Sequence, residues 1–149
     1  MNRIQISENF KLDEFIDPVT YEKFGARSVM FIRKEVILAA QYIRSTTGLS
    51  ITVNNWANGG AYKESGLRNF NTSTGASYSA HKFGAAADLK ISDLDSFEMA
   101  AIIKKNWQEL YKIGVRRIEN PEATKGKNRS WLHFDSYETQ TKELTIVNP

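Results

Sequence analysis

The chain of 149 residues contains no cysteine and only two histidines. Without cysteine, the protein forms no disulfide, uses no thiol nucleophile and builds no closed thiolate metal site. No apolar stretch is long enough to span a bilayer, and residues 1–9 lack the apolar run of a secretory signal. We therefore expect a protein that is made in the cytoplasm without a signal peptide and does not insert into a membrane.

Positive charge exceeds negative charge only slightly, with a formal net charge of +3 and a pI near 9.1. No basic stripe with interleaved aromatic residues is present, so we expect no nucleic-acid partner. The excess favours approach to anionic cell-wall polymers, although a slightly lysine-rich solvated surface explains it equally well. The length and composition suit one compact domain over residues 1–149, which we expect to be a monomer.

Hydrophobic periodicity predicts two helices, over residues 28–47 and 96–111, each with one apolar stripe and followed by a glycine. Asp95 or Ser96 is suited to cap the second helix. Strands are predicted over residues 50–54, 88–91, 115–119, 130–135 and, as a final edge strand, 141–147. Residues 115–119 and 130–135 are expected to form one hairpin. Because helices and strands occur in clusters and not in strict alternation, the fold class is α+β.

His81 and His133 each lie in a short segment suited to holding a metal. Gly84 and the alanines at 85–87 allow close backbone approach, so His81 and Asp88 can converge across a tight turn. Two imidazoles and one carboxylate leave one position of a tetrahedral zinc ion open, which is typical of catalytic zinc sites. The pattern therefore predicts a hydrolytic zinc ion, one per chain. On spacing alone, the alternative is two ordinary surface or core histidines.

Two motifs carry a family resemblance. A Ser-x-His-x-x-Gly-x-Ala-x-Asp pattern is matched at every fixed position by Ser79, His81, Gly84, Ala86 and Asp88, and residues 131–135 read Trp-x-His-x-Asp. The pair resembles the zinc D-Ala-D-Ala carboxypeptidase and endolysin family (peptidase family M15), above all its short single-domain members from phages and prophages. The likeness covers about residues 9–136. It implies zinc held by His81, Asp88 and His133 in a small antiparallel sheet flanked by helices, the hedgehog/DD-peptidase fold.

The general base is less clear, because this sequence departs from the family. In many relatives a glutamate stands three residues before the second histidine, and here that position is Ser130. The nearest upstream acids are Glu119 and Glu122. Glu119 ends the strand predicted to pair with the strand of His133, whereas Glu122 lies beyond Pro121 in a loop, so we predict that Glu119 is the base. The alternative is that Glu119 only pairs with a neighbouring arginine or lysine.

Arg68 lies in a long polar stretch, residues 57–78, that shows no helix or strand pattern. Long loops inside compact domains tend to be functional or disordered, and we expect this one to face substrate. A guanidinium binds a carboxylate through two parallel hydrogen bonds. The resemblance implies that Arg68 holds the substrate or the developing oxyanion; as a lone arginine in a polar loop it would be solvated surface.

Three further side chains are candidates for support of the site. Ser79 is expected to orient a ligand or the substrate, since neither histidine is free to activate it as a nucleophile. Asp135 shares one strand face with His133, and it either supports that imidazole or replaces Asp88 as a ligand. Trp131 shares the same face and either walls the pocket or packs.

The sequence thus predicts a zinc metallopeptidase that cleaves the stem peptide of bacterial peptidoglycan. The bond stays open, because a carboxypeptidase removes a terminal D-alanine whereas an endolysin cuts within the stem or cross-bridge. As a phage or prophage lysin it would reach the cell wall after another protein permeabilises the host membrane. The alternative is a non-catalytic zinc protein for virion assembly or wall binding on the same fold, as in the hedgehog type.

Overall fold

The computed structural model describes residues 3–149, which form a mixed α+β fold with one five-stranded sheet. The strands are β1 (Ile51–Thr52), β2 (Ala86–Ile91), β3 (Arg117–Glu119), β4 (Leu132–Asp135) and β5 (Thr145–Val147). The helices are α1 (Pro18–Phe24), α2 (Lys34–Thr47), α3 (Ser96–Lys105) and α4 (Trp107–Ile113). The predicted α+β class is confirmed. Within the described residues, no helix is both long enough and apolar enough to cross a membrane.

The sheet has the order β1-β2-β4-β3-β5. The β1/β2, β2/β4 and β3/β4 pairs are antiparallel, which confirms the predicted hairpin of β3 and β4. The edge position of β5 is also as predicted, but β5 runs parallel to β3. The expectation of a purely antiparallel sheet is therefore wrong at this edge. The chain reaches β5 through residues 136–144, which is long enough to reverse direction before it pairs.

Helix α2 ends as expected, because Gly48 adopts a left-handed conformation with φ 69° and closes the helix. Its start is different. Residues 25–31 form a separate 3-10 helix and Arg33 is extended with ψ 138°, so the α-helix begins at Lys34 and the prediction of one continuous helix from residue 28 is wrong. The Arg33 amide donates to the Gly84 carbonyl at 2.9 Å. This tertiary hydrogen bond ties the start of α2 to the turn that carries His81.

The predicted helix over 96–111 is divided into α3 and α4 at Asn106. The Asn106 side chain donates to the Ile102 carbonyl at 2.8 Å, in competition with the helical backbone, which is a known reason for asparagine to interrupt helices. Asp95 caps α3 as predicted, since its carboxylate accepts from the Glu98 amide at 2.9 Å.

Strand β2 lies between β1 and β4, and all six of its residues are buried. Leu89 and Ile91 face the main hydrophobic core, with helix residues such as Ile43, Met99 and Ile103. Since side chains alternate along a strand, Asp88 and Lys90 project to the opposite face. A strand that is buried on both faces therefore carries two ionisable side chains away from the core.

We predict a steric constraint at Gly84, which directly follows the turn that carries His81. Gly84 has φ +63°, and an added Cβ would lie 1.9 Å from the Phe31 carbonyl oxygen; Gly48 has φ +69° and open space around its Cβ position. Gly48→Ala should cost about 1–2 kcal/mol through the left-handed conformation alone. Gly84→Ala should cost about 3 kcal/mol or more, because a backbone carbonyl must also move.

Urea unfolding of the metal-free variants measures both costs. Equal destabilisation by the two substitutions would show that the close approach at Gly84 does not constrain the fold.

Candidate metal centre

Three predicted ligands converge on one point. His81 Nε2 lies 3.1 Å from His133 Nδ1 and 3.2 Å from Asp88 Oδ1, and His133 Nδ1 lies 3.0 Å from Asp88 Oδ1. All three residues are buried. This cluster could hold a metal ion.

Two different structural devices bring the ligands together. Asp88 and His133 are direct partners in the antiparallel register of β2 and β4, so their side chains project side by side from one face. His81 lies in the 3-10 turn Ala80–Phe83, which ends at Gly84 in a left-handed conformation. The chain reverses direction within this turn, and the Ala85 amide donates to the Ala80 carbonyl at 2.9 Å. The small residues noted in the sequence thus allow the tight turn.

The hydrogen bonds behind the imidazoles determine which ring nitrogens carry protons. His81 Nδ1 lies 2.7 Å from the Gly66 carbonyl oxygen, and His133 Nε2 lies 3.2 Å from Asp135 Oδ2. Both oxygens only accept, so Nδ1 of His81 and Nε2 of His133 donate. Each neutral imidazole therefore turns its lone pair toward Asp88. Three acceptors within 3.2 Å of one another are stable only with a cation between them, either a proton or a metal.

The donor set fits a zinc ion. With bonds of about 2.0–2.1 Å, tetrahedral zinc separates its donors by about 3.3–3.4 Å. The three observed separations are 3.0–3.2 Å, close to one face of such a tetrahedron. Imidazole and carboxylate donors also suit other divalent transition metals, so the donor chemistry defines a class of metal and not zinc alone.

Without a metal, a proton takes the cation's place. Burial lowers the pKa of His133, but hydrogen bonds to Asp135 and Asp88 outweigh burial and raise it to about 9. Burial raises the pKa of Asp88, whereas electrostatic interactions and hydrogen bonds with His81 and His133 hold that pKa well below its usual range. At neutral pH the metal-free site thus holds a protonated His133 against an ionised Asp88.

Asp135 supports His133 and does not contact the metal position. Its Oδ2 lies on Nε2, the ring nitrogen that points away from the three converging atoms. Arg117 donates to the same carboxylate through Nε and Nη2, at 2.9 Å each. Asp135 itself is almost fully buried. The alternative in which Asp135 replaces Asp88 as ligand is not compatible with this orientation. Sequence reasoning missed Arg117, although its place opposite Asp135 in a predicted hairpin was a usable signal.

The segment Glu64–Arg68 packs behind His81 and Asp88 and hydrogen-bonds to both. The Gly66 carbonyl orients His81, and the Ser65 carbonyl accepts from the Asp88 amide at 2.7 Å. Arg68 Nη2 lies 3.1 Å from Asp88 Oδ2, the carboxylate oxygen that does not face the histidines. Arg68 Nε donates to the Glu64 carbonyl at 2.7 Å, which fixes the guanidinium in this position. Arg68 therefore neutralises and orients Asp88 as well as lining the cleft.

Lys90 is a buried cation directly beneath this segment and was missed by the sequence analysis. Its Nζ donates to the carbonyls of Asp88 at 3.2 Å and Val53 at 3.3 Å, and to the Ser65 hydroxyl. The ammonium also lies 4.4 Å from the ring centroid of Tyr62. Burial lowers its pKa to about 8, although Asp88 opposes the shift. The sequence did hold a signal for this buried cation, because Lys90 lies between Leu89 and Ile91 in a predicted buried strand.

Glu119 faces the cluster. Its Oε1 lies 4.0 Å from His133 Nδ1, and its side chain is only 20% exposed. Glu122, in contrast, is 68% exposed and lies 3.9 Å from Lys125. The two arginines near Glu119 are otherwise engaged, with Arg117 on Asp135 and Arg116 on Glu138. The structure thus places Glu119 and not Glu122 beside the converging ligands.

A cleft of about 530 Å³ opens over the metal position. The remaining candidates all line it, namely Arg68, Ser79 and Trp131, with Glu119 and Asp135. Part of the long loop lines it too, through residues 74–76 and Tyr78. The Tyr137 hydroxyl tethers this loop by donating to the Tyr78 carbonyl at 3.1 Å. The cleft is therefore walled by the loop on one side and by β3 and β4 on the other.

No protein-family model, curated protein or solved structure matched this chain.

We predict that metal binding displaces a proton. With a pKa of about 9, His133 is protonated at pH 7.5 and must lose that proton to become a ligand. Titration of zinc into the metal-free protein should release about one proton, measured by calorimetry in buffers of different ionisation enthalpy. The affinity should rise about tenfold per pH unit between pH 7 and pH 9.

His81→Ala and His133→Ala should abolish stoichiometric binding, while Glu8→Gln, an exposed control, should retain it. Proton release near zero, or tight zinc in both histidine variants, would contradict the site.

We also predict that Lys90 contributes to metal affinity through the segment that orients the ligands. Lys90→Met keeps the apolar stem and removes the three hydrogen bonds of the ammonium. Supports of this kind typically change metal affinity by about 10- to 100-fold. Competition with a chromophoric chelator measures the loss, and Lys104→Met, at an exposed helix position, is the matched control. An unchanged affinity in a folded Lys90→Met protein would assign Lys90 to fold stability alone.

Proposed function

We propose that the protein is a zinc-dependent metallopeptidase that hydrolyses peptide bonds of bacterial peptidoglycan. The observation that carries the proposal is an open three-ligand site with one further carboxylate, Glu119, 4.0 Å from a ligand atom. A fourth protein ligand would close a structural site, whereas the cleft lined by His81, Asp88 and His133 would leave a bound metal accessible to water. The sequence motifs add the likeness to the D-Ala-D-Ala carboxypeptidase and endolysin family, and we propose the hedgehog/DD-peptidase fold with them.

The chemistry assigned to the side chains is general acid–base catalysis of hydrolysis. A zinc ion held by His81, Asp88 and His133 would supply a Lewis acid that polarises the scissile carbonyl and acidifies water. Glu119 accepts the proton of a water molecule in the cleft and returns it to the leaving amine. The rigid strand β3 holds Glu119 in place for both transfers.

Two guanidinium groups give the cleft its preference for anionic substrates. Arg68 and Arg117 both line it, each fixed by a buried carboxylate. Peptidoglycan stem peptides carry free carboxylates, and a guanidinium binds a carboxylate or a developing oxyanion well. We propose Arg68 for this contact, with Ser79 and Trp131 as further walls of the substrate site.

The family resemblance and the mild positive charge support an action on the cell wall. For a lysin made in the cytoplasm, access to the wall follows permeabilisation of the host membrane by another protein. Whether the enzyme removes a terminal D-alanine or cuts within the stem or cross-bridge is read from its products. Mass spectrometry of purified peptidoglycan, treated with zinc-loaded or chelated protein, gives that answer. Metal-dependent muropeptide fragments are expected, and their masses name the bond.

We predict that Glu119→Gln retains one zinc ion per chain and loses turnover by about 10²- to 10⁴-fold, because the amide cannot accept the proton. Glu122→Gln is the matched control and should keep near-normal turnover, since that side chain is exposed and outside the cleft. Turnover is measured by the appearance of the fragments described above. Near-normal turnover of Glu119→Gln would remove the base from this position.

A second candidate is a non-catalytic zinc protein for virion assembly or wall binding. The observation that favours it is Ser130, which stands where many relatives have glutamate and whose hydroxyl donates to the Lys125 carbonyl. Zinc bound at one per chain with no new peptidoglycan fragments would support this candidate over the peptidase.

A further inference from the structure

A second concavity, of about 480 Å³, adjoins the metal cleft. Most of its wall consists of four aromatic rings and two cationic side chains, Phe24, Phe31, Phe70, Phe83, Arg68 and Lys82. We call it the aromatic groove. Its volume lies within the range typical of small-molecule sites, about 300–1,000 Å³. Among residues 3–149, no acidic side chain lines it.

The aromatic groove and the metal cleft adjoin at Arg68, which lines both. Phe70 follows Arg68 by two residues, and Phe83 follows the ligand His81 by two residues in the turn Ala80–Phe83. Two segments that carry site residues therefore extend directly into the groove. A substrate longer than the cleft meets the groove as its next surface.

The aromatic rings of the groove are open to solvent. Phe70 is 60% exposed and Phe83 is 42% exposed. Their ring centroids lie 5.7 Å apart with planes at 88°, and the Lys82 ammonium lies 5.8 Å from the Phe70 centroid. Clustered exposed aromatic rings mark a binding surface in a soluble protein. Aromatic faces beside cations suit a ligand with an apolar ring face and a nearby negative charge.

The identity of the ligand rests on the proposed function. We infer that the aromatic groove is a substrate subsite for the N-acetylated amino sugar to which a stem peptide is attached. The C–H faces and the acetyl methyl group of the sugar pack on Phe70 and Phe83. Arg68 and Lys82 face the carboxylates near the junction of sugar and peptide. The preferred substrate is thus a glycan-linked stem peptide, and a free peptide is a poorer one.

The concave shape and the position favour this occupant over a membrane surface. A groove walled by rings on two sides accepts a ring-sized group, whereas a flat bilayer contacts protruding side chains. The absence of acidic lining residues among residues 3–149 agrees with an anionic substrate. An anionic bilayer shares that charge preference, so the experiment must separate the two.

The test compares two substrates, a disaccharide-linked stem peptide and the same peptide without sugar. The wild-type, zinc-loaded protein should show a kcat/KM about tenfold higher for the sugar-linked substrate. Phe70→Ala should lower that ratio about fivefold or more. Phe97→Ala, a 48% exposed phenylalanine at the start of α3 that does not line the groove, should retain the wild-type ratio.

Binding to the metal-free protein, measured by calorimetry with the sugar-linked peptide, is independent of hydrolysis. Weaker binding by Phe70→Ala, with no cleavage of either substrate by wild type, would support the subsite and overturn the peptidase. Equal cleavage of both substrates would overturn the subsite and leave the peptidase. Loss of binding to vesicles of anionic phospholipid in Phe70→Ala, with muropeptide binding intact, would also overturn the subsite.

Discussion

The structure around the site depends on one electrostatic constraint, the convergence of three acceptors on a single point. Neutral imidazoles turn the lone pairs of His81 and His133 toward the Asp88 carboxylate at 3.0–3.2 Å. In a buried setting such an arrangement is strongly unfavourable without a cation. The protein meets this requirement with a proton on His133 when metal-free, and a divalent metal meets it when bound. The same arrangement of three acceptors thus favours binding of a proton and could favour binding of a metal.

The groups behind the ligands make this geometry possible. The Gly66 carbonyl and Asp135 select the tautomers, and Arg117 and Arg68 neutralise the two carboxylates. The buried carboxylates of Asp88 and Asp135 therefore each have a guanidinium within hydrogen-bonding distance, which lowers the cost of burying them. Lys90 adds a further cation under the same segment. The three candidate metal ligands are therefore held in place by backbone carbonyls and by the register of the strands. Their positions do not depend on flexible side chains.

The same framework determines which side chains line the cleft. Strands β3 and β4 carry Glu119 and His133 at the cleft, which is also lined by residues 74–76, Tyr78 and Ser79. Glu119 and Arg68 both line the cleft, and Arg68 also lines the aromatic groove.

Much of the site followed from local sequence. His81 and Asp88 are separated by small residues that allow a tight turn before a buried strand, so this local arrangement could be expected from the sequence. The hairpin that positions Glu119 relative to His133 is also local, since its strands are close in sequence. Helix ends at Gly48 and Asp95 follow from capping chemistry within a few residues. These features were predictable because the determining atoms lie near one another along the chain.

Other features were decided by tertiary structure alone. The late start of α2 depends on a hydrogen bond from Arg33 to Gly84, and the parallel pairing of β5 depends on how the chain returns to the sheet. The pairing of Asp88 with His133 joins strands 45 residues apart in sequence. Arg117 and Lys90 acquire their roles only from the carboxylate and the carbonyls that folding brings to them. The sequence determined which chemical groups are present and which local turns they make, whereas the partner of each charge was decided by long-range packing, because Coulomb and hydrogen-bond energies depend on distance in space.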